Sequence, residues 1–222
     1  MKNVLVIGAS RGIGLEFVRQ YREFGDRVIA SARDDAGLER IEGHGAKALR
    51  IDVADPASIV ALGGQLAGER FDVALYVAGV YSTAGALQPP PQDEFDRLMR
   101  TNVLGAMRAI PQVAPMVEAV GGRFAFLSSQ MAYMGGTDSS FGWTYRASKA
   151  ALNMVVKAAQ QDYPRAVMVA ISPGWVQTDM GGPGAPKKPQ QSVTWMRRSL
   201  DGLTARHKGA FINYDGRRFK GW

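Results

Sequence analysis

Short apolar runs alternate along the chain with longer segments in which apolar residues recur every three or four positions. The runs have the length of β-strands, and the longer segments have the period of amphipathic helices. Seven runs are predicted as strands, near residues 3–7, 27–31, 46–51, 71–77, 124–127, 166–171 and 209–213. Strands that alternate with helices are typical of an α/β fold with a doubly wound parallel sheet flanked by helices.

A glycine-rich segment joins the first strand to the first helical pattern. It reads Gly8-Ala9-Ser10-Arg11-Gly12-Ile13-Gly14. In a dinucleotide site, such glycines permit a tight turn, close approach to a pyrophosphate and close helix–strand packing. The spacing differs from the commonest fingerprint, and a glycine-rich segment can be only a turn. The flanking strand and helix nevertheless favour a single NAD(P)-binding Rossmann-fold domain over residues 1–222.

The end of the second strand bears on the choice between NAD and NADP. Many NAD sites place a carboxylate there for the ribose 2′-hydroxyl, whereas an arginine suits a 2′-phosphate. Here the strand leads into Arg33, and Arg11 of the glycine segment is a second candidate. We therefore expect NADP(H) to be favoured over NAD(H), although Asp34 and Asp35 keep the NAD alternative open.

Two further strand ends carry residues suited to a cofactor groove. Asp52-Val53 follows the third strand, and the Asp52 carboxylate is placed to accept a hydrogen bond from an adenine amino group. Alternatively, Asp52 starts a turn with Asp55, which is placed to cap a helix over residues 56–66. Ala78-Gly79 follows the fourth strand, where small residues let a flat cofactor lie against the backbone.

Tyr145 and Lys149 lie four residues apart in a helical pattern, so they share one face of the predicted helix. An adjacent ammonium favours the phenolate, and the sequence therefore predicts that Lys149 lowers the Tyr145 pKa. A tyrosine tuned in this way can donate or accept a proton. An exposed pair on an ordinary surface helix is the alternative.

Asn102 lies inside another helical pattern, which begins at Asp93. A buried amide there must find partners, so it marks either a local helix irregularity or an organiser of water and lysine. Other residues are candidates for an apolar substrate pocket, although ordinary packing explains them as well: Tyr81, Met131, Tyr133, Met134, Trp143 and Trp175.

Composition narrows the possible chemistry. The chain has no cysteine, which excludes disulfides and thiol nucleophiles, and its two histidines lie far apart, so no metal site is predicted. The net charge of +7 is dispersed and no aromatic array accompanies it, so we expect no nucleic-acid binding. The basic surface is either simply solvated or suited to an anionic small ligand.

No targeting segment is evident in the sequence. The apolar run at residues 4–7 is too short for a signal peptide, and no stretch has the length of a membrane span. We expect a cytoplasmic protein without membrane association.

Taken in order, these motifs resemble the short-chain dehydrogenase/reductase family over nearly the whole chain. The chain is similar in particular to the C-factor-like and sniffer-like carbonyl reductases, through residues 145–153, residues 173–182 and the closing Asn213-Tyr214-Asp215-Gly216. The family motifs are matched by the glycine segment and by Asp52-Val53, Ala78-Gly79, Asn102, Ser128-Ser129, Tyr145, Lys149, Pro173-Gly174 and Thr178.

The resemblance implies an NADP(H)-dependent oxidoreductase that transfers a hydride between nicotinamide and a small carbonyl or alcohol substrate. It implies that Ser129 polarises the carbonyl, that Tyr145 is the general acid/base and that Lys149 lowers its pKa and holds the ribose. Asn102 would hold a water molecule beside Lys149. Ser128 stays an alternative to Ser129.

The resemblance also implies further cofactor contacts, an assembly and a rival function. The cofactor contacts would come from Tyr145, Lys149, Pro173, Gly174, Val176 and Thr178. Family members commonly pair through helices, so a homodimer or homotetramer is expected. The chain has Tyr76-Val77 where the family usually has two asparagines, which makes local stability or cofactor affinity differ. The rival is a non-catalytic, cofactor-binding signalling protein of the C-factor type.

Overall fold

A computed structural model describes residues 1–221 and confirms the doubly wound α/β fold. Its strands pair in parallel in one sheet. They are β1 (Asn3–Ile7), β2 (Arg27–Ala32), β3 (Lys47–Arg50), β4 (Val73–Tyr76), β5 (Arg123–Leu127), β6 (Val167–Ser172) and β7 (Ala210–Asn213). Their order in the sheet is β3-β2-β1-β4-β5-β6-β7.

Helices cover both faces of this sheet. They are α1 (Gly12–Glu23), α2 (Asp35–Gly43), α3 (Pro56–Gln65), α4 (Gln92–Met99), α5 (Gly105–Glu118), α6 (Trp143–Ala159) and α7 (Pro189–Asp201). Apolar side chains of α1, α2 and α7 pack on one face, and those of α3, α5 and α6 pack on the other. Two separate apolar layers therefore hold the sheet in place.

The hydrophobic pattern did not reveal α2. Its nine residues contain only a few apolar side chains, and Gly37 lies within its first turn. The helix forms because the Asp34 carboxylate accepts a hydrogen bond from the Gly37 amide at 2.8 Å and so caps the N-terminus. Ile41 then anchors the helix in the core.

Two predicted strands are shorter than expected. The sequence predicts Ile51 and Val77 inside strands, but each lies just beyond the regular ladder. Their amides still donate to the neighbouring strand, to Ala32 O at 3.0 Å and to Ile7 O at 2.8 Å. The chain turns away after these bonds, and the turns form the rim of the groove described below.

The strand order reverses between β1 and β4, and this reversal positions the functional site. The chain builds β1, β2 and β3 outward in one direction and then crosses back to start β4 on the other side of β1. In open parallel sheets, ligands bind in the crevice outside the carboxyl ends of the strands at such a switch point. Among residues 1–221, no helix is both long and apolar enough to cross a bilayer.

Candidate active site

A groove of about 560 Å³ lies at the switch point, within the size range of small-ligand sites. Most of the predicted cofactor residues line it, namely Gly8, Ser10, Arg11, Gly12, Ile13, Gly14, Arg33, Asp52, Val53, Ala78, Gly79 and Thr178. The other predicted cofactor residues are not among the lining residues, namely Tyr145, Lys149, Pro173, Gly174 and Val176. Sequence reasoning did not assign the other lining residues to the cofactor, among them Arg40, Gln177, Asp179 and Met180.

The glycine segment is packed so closely that side chains are excluded. Gly8 has φ +89°, and a Cβ added there would lie 2.6 Å from the Ala78 nitrogen. A Cβ on Gly14 would overlap the Gly8 carbonyl oxygen and come within 2.9 Å of the Ala9 Cα. No side chain caps the N-terminus of α1. Its first-turn amides therefore face the groove without a competing side chain, which suits a pyrophosphate.

Each of the two carboxylates after β2 has a partner within the protein. Asp34 caps α2, and Asp35 forms an ion pair with Arg50. Arg33 and Arg40 line the groove, and Arg40 Nε also donates to the Ser10 carbonyl at 2.7 Å. Asp34 lines the groove as well, so this end presents two arginines and one carboxylate that is partly engaged in the helix cap.

Arg11 pairs with a residue beyond β6 rather than with the β2 end. Its guanidinium lies 2.9 Å from the Asp179 carboxylate. Both side chains are more than two-thirds exposed, at 71% and 73%, so the pair contributes little to stability. Both residues line the groove and so remain available to a ligand.

Asp52 starts the predicted turn before α3, and its position is also compatible with the predicted contact to an adenine. Its Oδ1 accepts from the Ala54 amide at 2.9 Å, and Asp55 caps α3 through the Ala57 amide. Asp52 thus starts the predicted turn. It also lines the groove, where its second carboxylate oxygen can face an adenine.

Asn102 lies in a π-helical turn, Arg100–Leu104, between α4 and α5. This confirms the predicted helix irregularity. Its Oδ1 accepts from the Val80 amide at 2.8 Å, and its Nδ2 donates to Val80 O and to Ser148 Oγ, both at 2.9 Å. The side chain therefore clamps the segment after β4 to α6. Gly79 lies between Asn102 and Lys149, and an added Cβ would be about equally close to both.

Tyr76 replaces part of the bracing that the usual asparagines would supply. Its ring is fully buried against Phe126, and its hydroxyl donates to the Thr101 carbonyl at 2.9 Å. Burial raises the pKa of this hydroxyl well above its ordinary value, so it stays a donor. The end of β4 is thus tied to the π-helical turn that holds Asn102.

Removal of the Tyr76 hydroxyl should lower stability. In Tyr76→Phe the Thr101 carbonyl loses its donor in a buried site, and we expect the free energy of unfolding to fall by about 1–3 kcal/mol. Denaturant unfolding measures this change. The half-buried Tyr163→Phe is the control, and equal stability of the two variants would show that the bond is not a brace.

The helix α6 carries Tyr145 and Lys149 one turn apart, as predicted. Both are buried, with 6% and 4% of their surface exposed. The Lys149 Nζ lies 5.8 Å from the Tyr145 ring centroid and donates to the Leu127 carbonyl at 2.8 Å. The Ser129 hydroxyl, two residues beyond, lies close enough to the Tyr145 hydroxyl to lower its pKa, although burial outweighs this effect. The three side chains therefore meet at the carboxyl end of β5.

The Tyr145 pKa shifts in the direction opposite to the sequence prediction. Burial raises the pKa of the hydroxyl to about 12, and Tyr81 adds to the rise, while the Ser129 hydrogen bond opposes it. Burial also lowers the pKa of Lys149 to about 8, so its ammonium group gives up its proton more readily than that of an exposed lysine. The prediction was wrong because loss of hydration on burial disfavours the phenolate more than the nearby charge of Lys149 favours it.

Ser128 and Ser129 point to different partners. The Ser128 hydroxyl is buried and donates to Asn153 Oδ1 at 2.6 Å. Ser129 is half-buried and is the one that reaches Tyr145. The sequence could not separate the two because both follow the same strand. In the part of the chain that the structure describes, no cluster of His, Cys, Asp or Glu could hold a metal ion.

The six apolar candidates for a substrate pocket do not form one group. Tyr81 packs against Tyr145, whereas Tyr133 packs against Phe219 at a centroid distance of 5.3 Å. Met134 and Trp175 are exposed, and the Trp175 indole donates to the Gly181 carbonyl at 2.7 Å. Only Tyr81 is in ring contact with the proposed acid.

The chain matches a known family and several known proteins. A family model described as short chain dehydrogenase matches residues 2–188. The C-signal of Myxococcus xanthus is 37% identical over 148 residues, which are 65% of this chain and 89% of that protein. The 1-hydroxy-2-glutathionyl-2-methyl-3-butene dehydrogenase of Rhodococcus sp. (strain AD45) is 30% identical over 232 residues, covering 97% and 98% of the two chains.

Solved structures match over the full chain. A Burkholderia multivorans protein assigned as a short-chain dehydrogenase/reductase, with bound NADP, has a TM-score of 0.88 and 28% identity, covering 100% of this chain and 99% of that one. A carbonyl reductase from Pseudomonas aeruginosa PAO1 has a TM-score of 0.85 and 27% identity, covering 100% of both chains.

Proposed function

The chain belongs to the short-chain dehydrogenase family, and we propose that it is an NADP(H)-dependent oxidoreductase acting on a carbonyl or alcohol substrate. The observation that carries the proposal is that Ser129, Tyr145 and Lys149 lie together at the carboxyl end of β5. Lys149 contacts Leu127 and Gly79, and both of these line a groove of suitable size for a dinucleotide. The two hydroxyls are donors in a buried site, where charge that develops on a carbonyl oxygen needs stabilisation.

Bound in the groove, the nicotinamide supplies or accepts the hydride. The chain's residues handle the oxygen and the proton. Ser129 and Tyr145 donate hydrogen bonds to the carbonyl oxygen, and Tyr145 gives up its proton as the alcohol forms. In the reverse direction, Tyr145 takes the proton of the alcohol. The raised Tyr145 pKa keeps the hydroxyl protonated before reduction begins.

Lys149 has a positioning and an electrostatic role in this proposal. One of its N–H groups is held by the Leu127 carbonyl, and the others are available for the nicotinamide ribose hydroxyls. Its charge stabilises the Tyr145 phenolate that forms on proton transfer. Asn102 keeps the segment after β4 in place beside Lys149. Thr178, which lines the groove, would orient the nicotinamide carboxamide in this proposal, and Pro173, Gly174 and Val176 would add cofactor contacts from the same segment.

Residues at the β2 end support NADP(H) over NAD(H). Arg33 and Arg40 line the groove together with Asp34, whose Oδ1 caps α2, while Asp35 lies outside the lining and pairs with Arg50. An arginine suits a 2′-phosphate through its planar array of donors. The Burkholderia relative was solved with NADP, which agrees with this assignment.

Arg33→Ala should weaken NADPH binding selectively. A charge-assisted bond to the 2′-phosphate is lost, so we expect NADPH affinity to fall ~10–100-fold while NADH affinity changes little. Fluorescence titration of both cofactors measures the effect. The matched control is Arg70→Ala, an exposed arginine outside the groove lining. Tighter binding of NADH than NADPH in the wild type, unaffected by Arg33→Ala, would refute the assignment.

The substrate panel should contain aldehydes, ketones, quinones and their alcohols. The Rhodococcus relative is a dehydrogenase of a glutathionyl alcohol, so a glutathione-bearing alcohol belongs in the panel. Turnover of NADPH or NADP with any member supports the proposal. NADPH binding without turnover favours the second candidate, a cofactor-binding signalling protein, to which the similarity to C-signal points.

The assembly and the domain organisation are part of the same proposal. We expect a single domain that forms a homodimer or homotetramer, which light scattering on the purified protein tests. A monomer at assay concentration would contradict the expected assembly without affecting the proposed chemistry.

A further inference from the structure

Tyr81 has no role in the mechanism above, yet it is the aromatic residue that packs on Tyr145. The two ring centroids lie 4.7 Å apart at an interplanar angle of 84°, an edge-to-face arrangement. Such pairs have a preferred geometry that goes beyond the burial of apolar surface. We propose that Tyr81 is a positioning residue that holds the Tyr145 ring so that its hydroxyl faces Ser129. This inference rests on the proposed function.

The backbone on both sides of Tyr81 is fixed. On one side, the Asn102 amide exchanges two hydrogen bonds with Val80, at 2.8 and 2.9 Å. On the other side, the amides of Gly142 and Trp143 donate to Thr83 O and Ala84 O, at 3.3 and 3.2 Å. The Tyr81 ring therefore projects from a short segment held between the π-helical turn and the start of α6.

Close packing at Gly142 strengthens this arrangement. Gly142 adopts φ +68°, and a Cβ there would meet the Met131 Cε at 2.8 Å and the Ser82 carbonyl at 3.2 Å. The Ser82 hydroxyl in turn donates to Glu94 of α4 at 2.6 Å. Because α6 also carries Tyr145, the segment with Tyr81 and the helix with Tyr145 are docked as one unit.

The Tyr81 ring and the Tyr81 hydroxyl act differently on Tyr145. The ring supplies the edge-to-face contact, whereas the hydroxyl opposes the Tyr145 phenolate only when Tyr81 is itself ionised. The charged groups around the pair are Arg146 and Lys149. Burial raises the Tyr81 pKa and Arg146 opposes this rise, while Lys149 lies below the Tyr145 ring. Arg97 donates to the Tyr81 carbonyl at 3.4 Å, and Glu94 is reached through Ser82.

Substitutions at residue 81 separate the contribution of the ring from that of the hydroxyl. Tyr81→Leu and Tyr81→Met remove the ring, and we expect kcat to fall ~10–100-fold with the KM for NADPH unchanged, because a small misplacement of a catalytic group is costly. Tyr81→Phe keeps the ring, and kcat should stay within about twofold of wild type. In Tyr81→Phe, the pH profile of alcohol oxidation should stay that of the wild type, because burial raises the Tyr81 pKa and the lost hydroxyl is uncharged over the assay range.

The decisive experiment measures kcat, KM and the pH profile of alcohol oxidation for wild type, Tyr81→Phe, Tyr81→Leu and Tyr81→Met. Phe219→Leu is the control, since it removes a stacked pair with Phe211 at 4.1 Å and should leave kcat and the profile unchanged. NADPH affinity reports folding in each variant. An active wild type with undiminished kcat in both Tyr81→Leu and Tyr81→Met overturns the inference alone. An inactive wild type overturns the proposed function and the inference together.

Discussion

Tyr145→Phe is expected to bind NADPH as tightly as the wild type and to turn over carbonyl substrates ~10²–10⁴-fold more slowly. The substitution keeps the buried ring and its contact with Tyr81 and removes only the hydroxyl. Tyr145 is not among the residues that line the main groove, so cofactor affinity should be preserved. The loss should appear in kcat, measured by NADPH absorbance.

Two further variants serve as controls for the Tyr145→Phe experiment. Tyr163→Phe controls for loss of a phenol elsewhere, since Tyr163 is half-buried and outside the groove lining. Ser129→Ala combined with Tyr145→Phe should cost little more than Tyr145→Phe alone, because residues that act as a unit are not additive. Full turnover in Tyr145→Phe would remove Tyr145 from the mechanism.

Gly14→Ala is expected to weaken NADPH binding ~10–100-fold and to destabilise the protein, as overpacking of a close contact costs about 1–3 kcal/mol. The added methyl group would overlap the Gly8 carbonyl oxygen, and both atoms belong to backbone-fixed positions. The glycine segment must therefore shift, which displaces the α1 amides from the groove. Titration with NADPH and denaturant unfolding measure the two consequences.

Gly64→Ala is the matched control for Gly14→Ala. Gly64 lies in α3, and a Cβ added there meets nothing within 4 Å. Alanine is a better helix former by ~1 kcal/mol, so this variant should be more stable and bind NADPH normally. Equal NADPH affinity in Gly14→Ala and Gly64→Ala would contradict the account of the glycine segment.

Features of the site that depend on strand ends could be predicted from the sequence. Parallel strands bring their carboxyl ends to one edge of the sheet, so the glycine segment, Asp52 and Ala78-Gly79 were expected to share a groove. The helix carrying Tyr145 and Lys149 followed from its local period. These predictions need only element order and periodicity.

Features that depend on tertiary packing could not be predicted. The Tyr145 pKa is set by burial, which the spacing of Tyr145 and Lys149 does not reveal. The bond from Tyr76 to Thr101 joins residues 25 positions apart and depends on the π-helical turn. Arg40 reaches the groove because Asp34 starts α2, and an Asp three residues before a Gly was too weak a signal to predict that helix.

The central claim is that Tyr145 gives a proton to a carbonyl reduced at this site. The most direct test is the rate of NADPH consumption by wild type and Tyr145→Phe, at equal cofactor saturation, across the carbonyl panel. We expect turnover of at least one carbonyl by the wild type and its loss in Tyr145→Phe. Tight NADPH binding with no turnover of any carbonyl by the wild type, or equal rates for the two proteins, would contradict it.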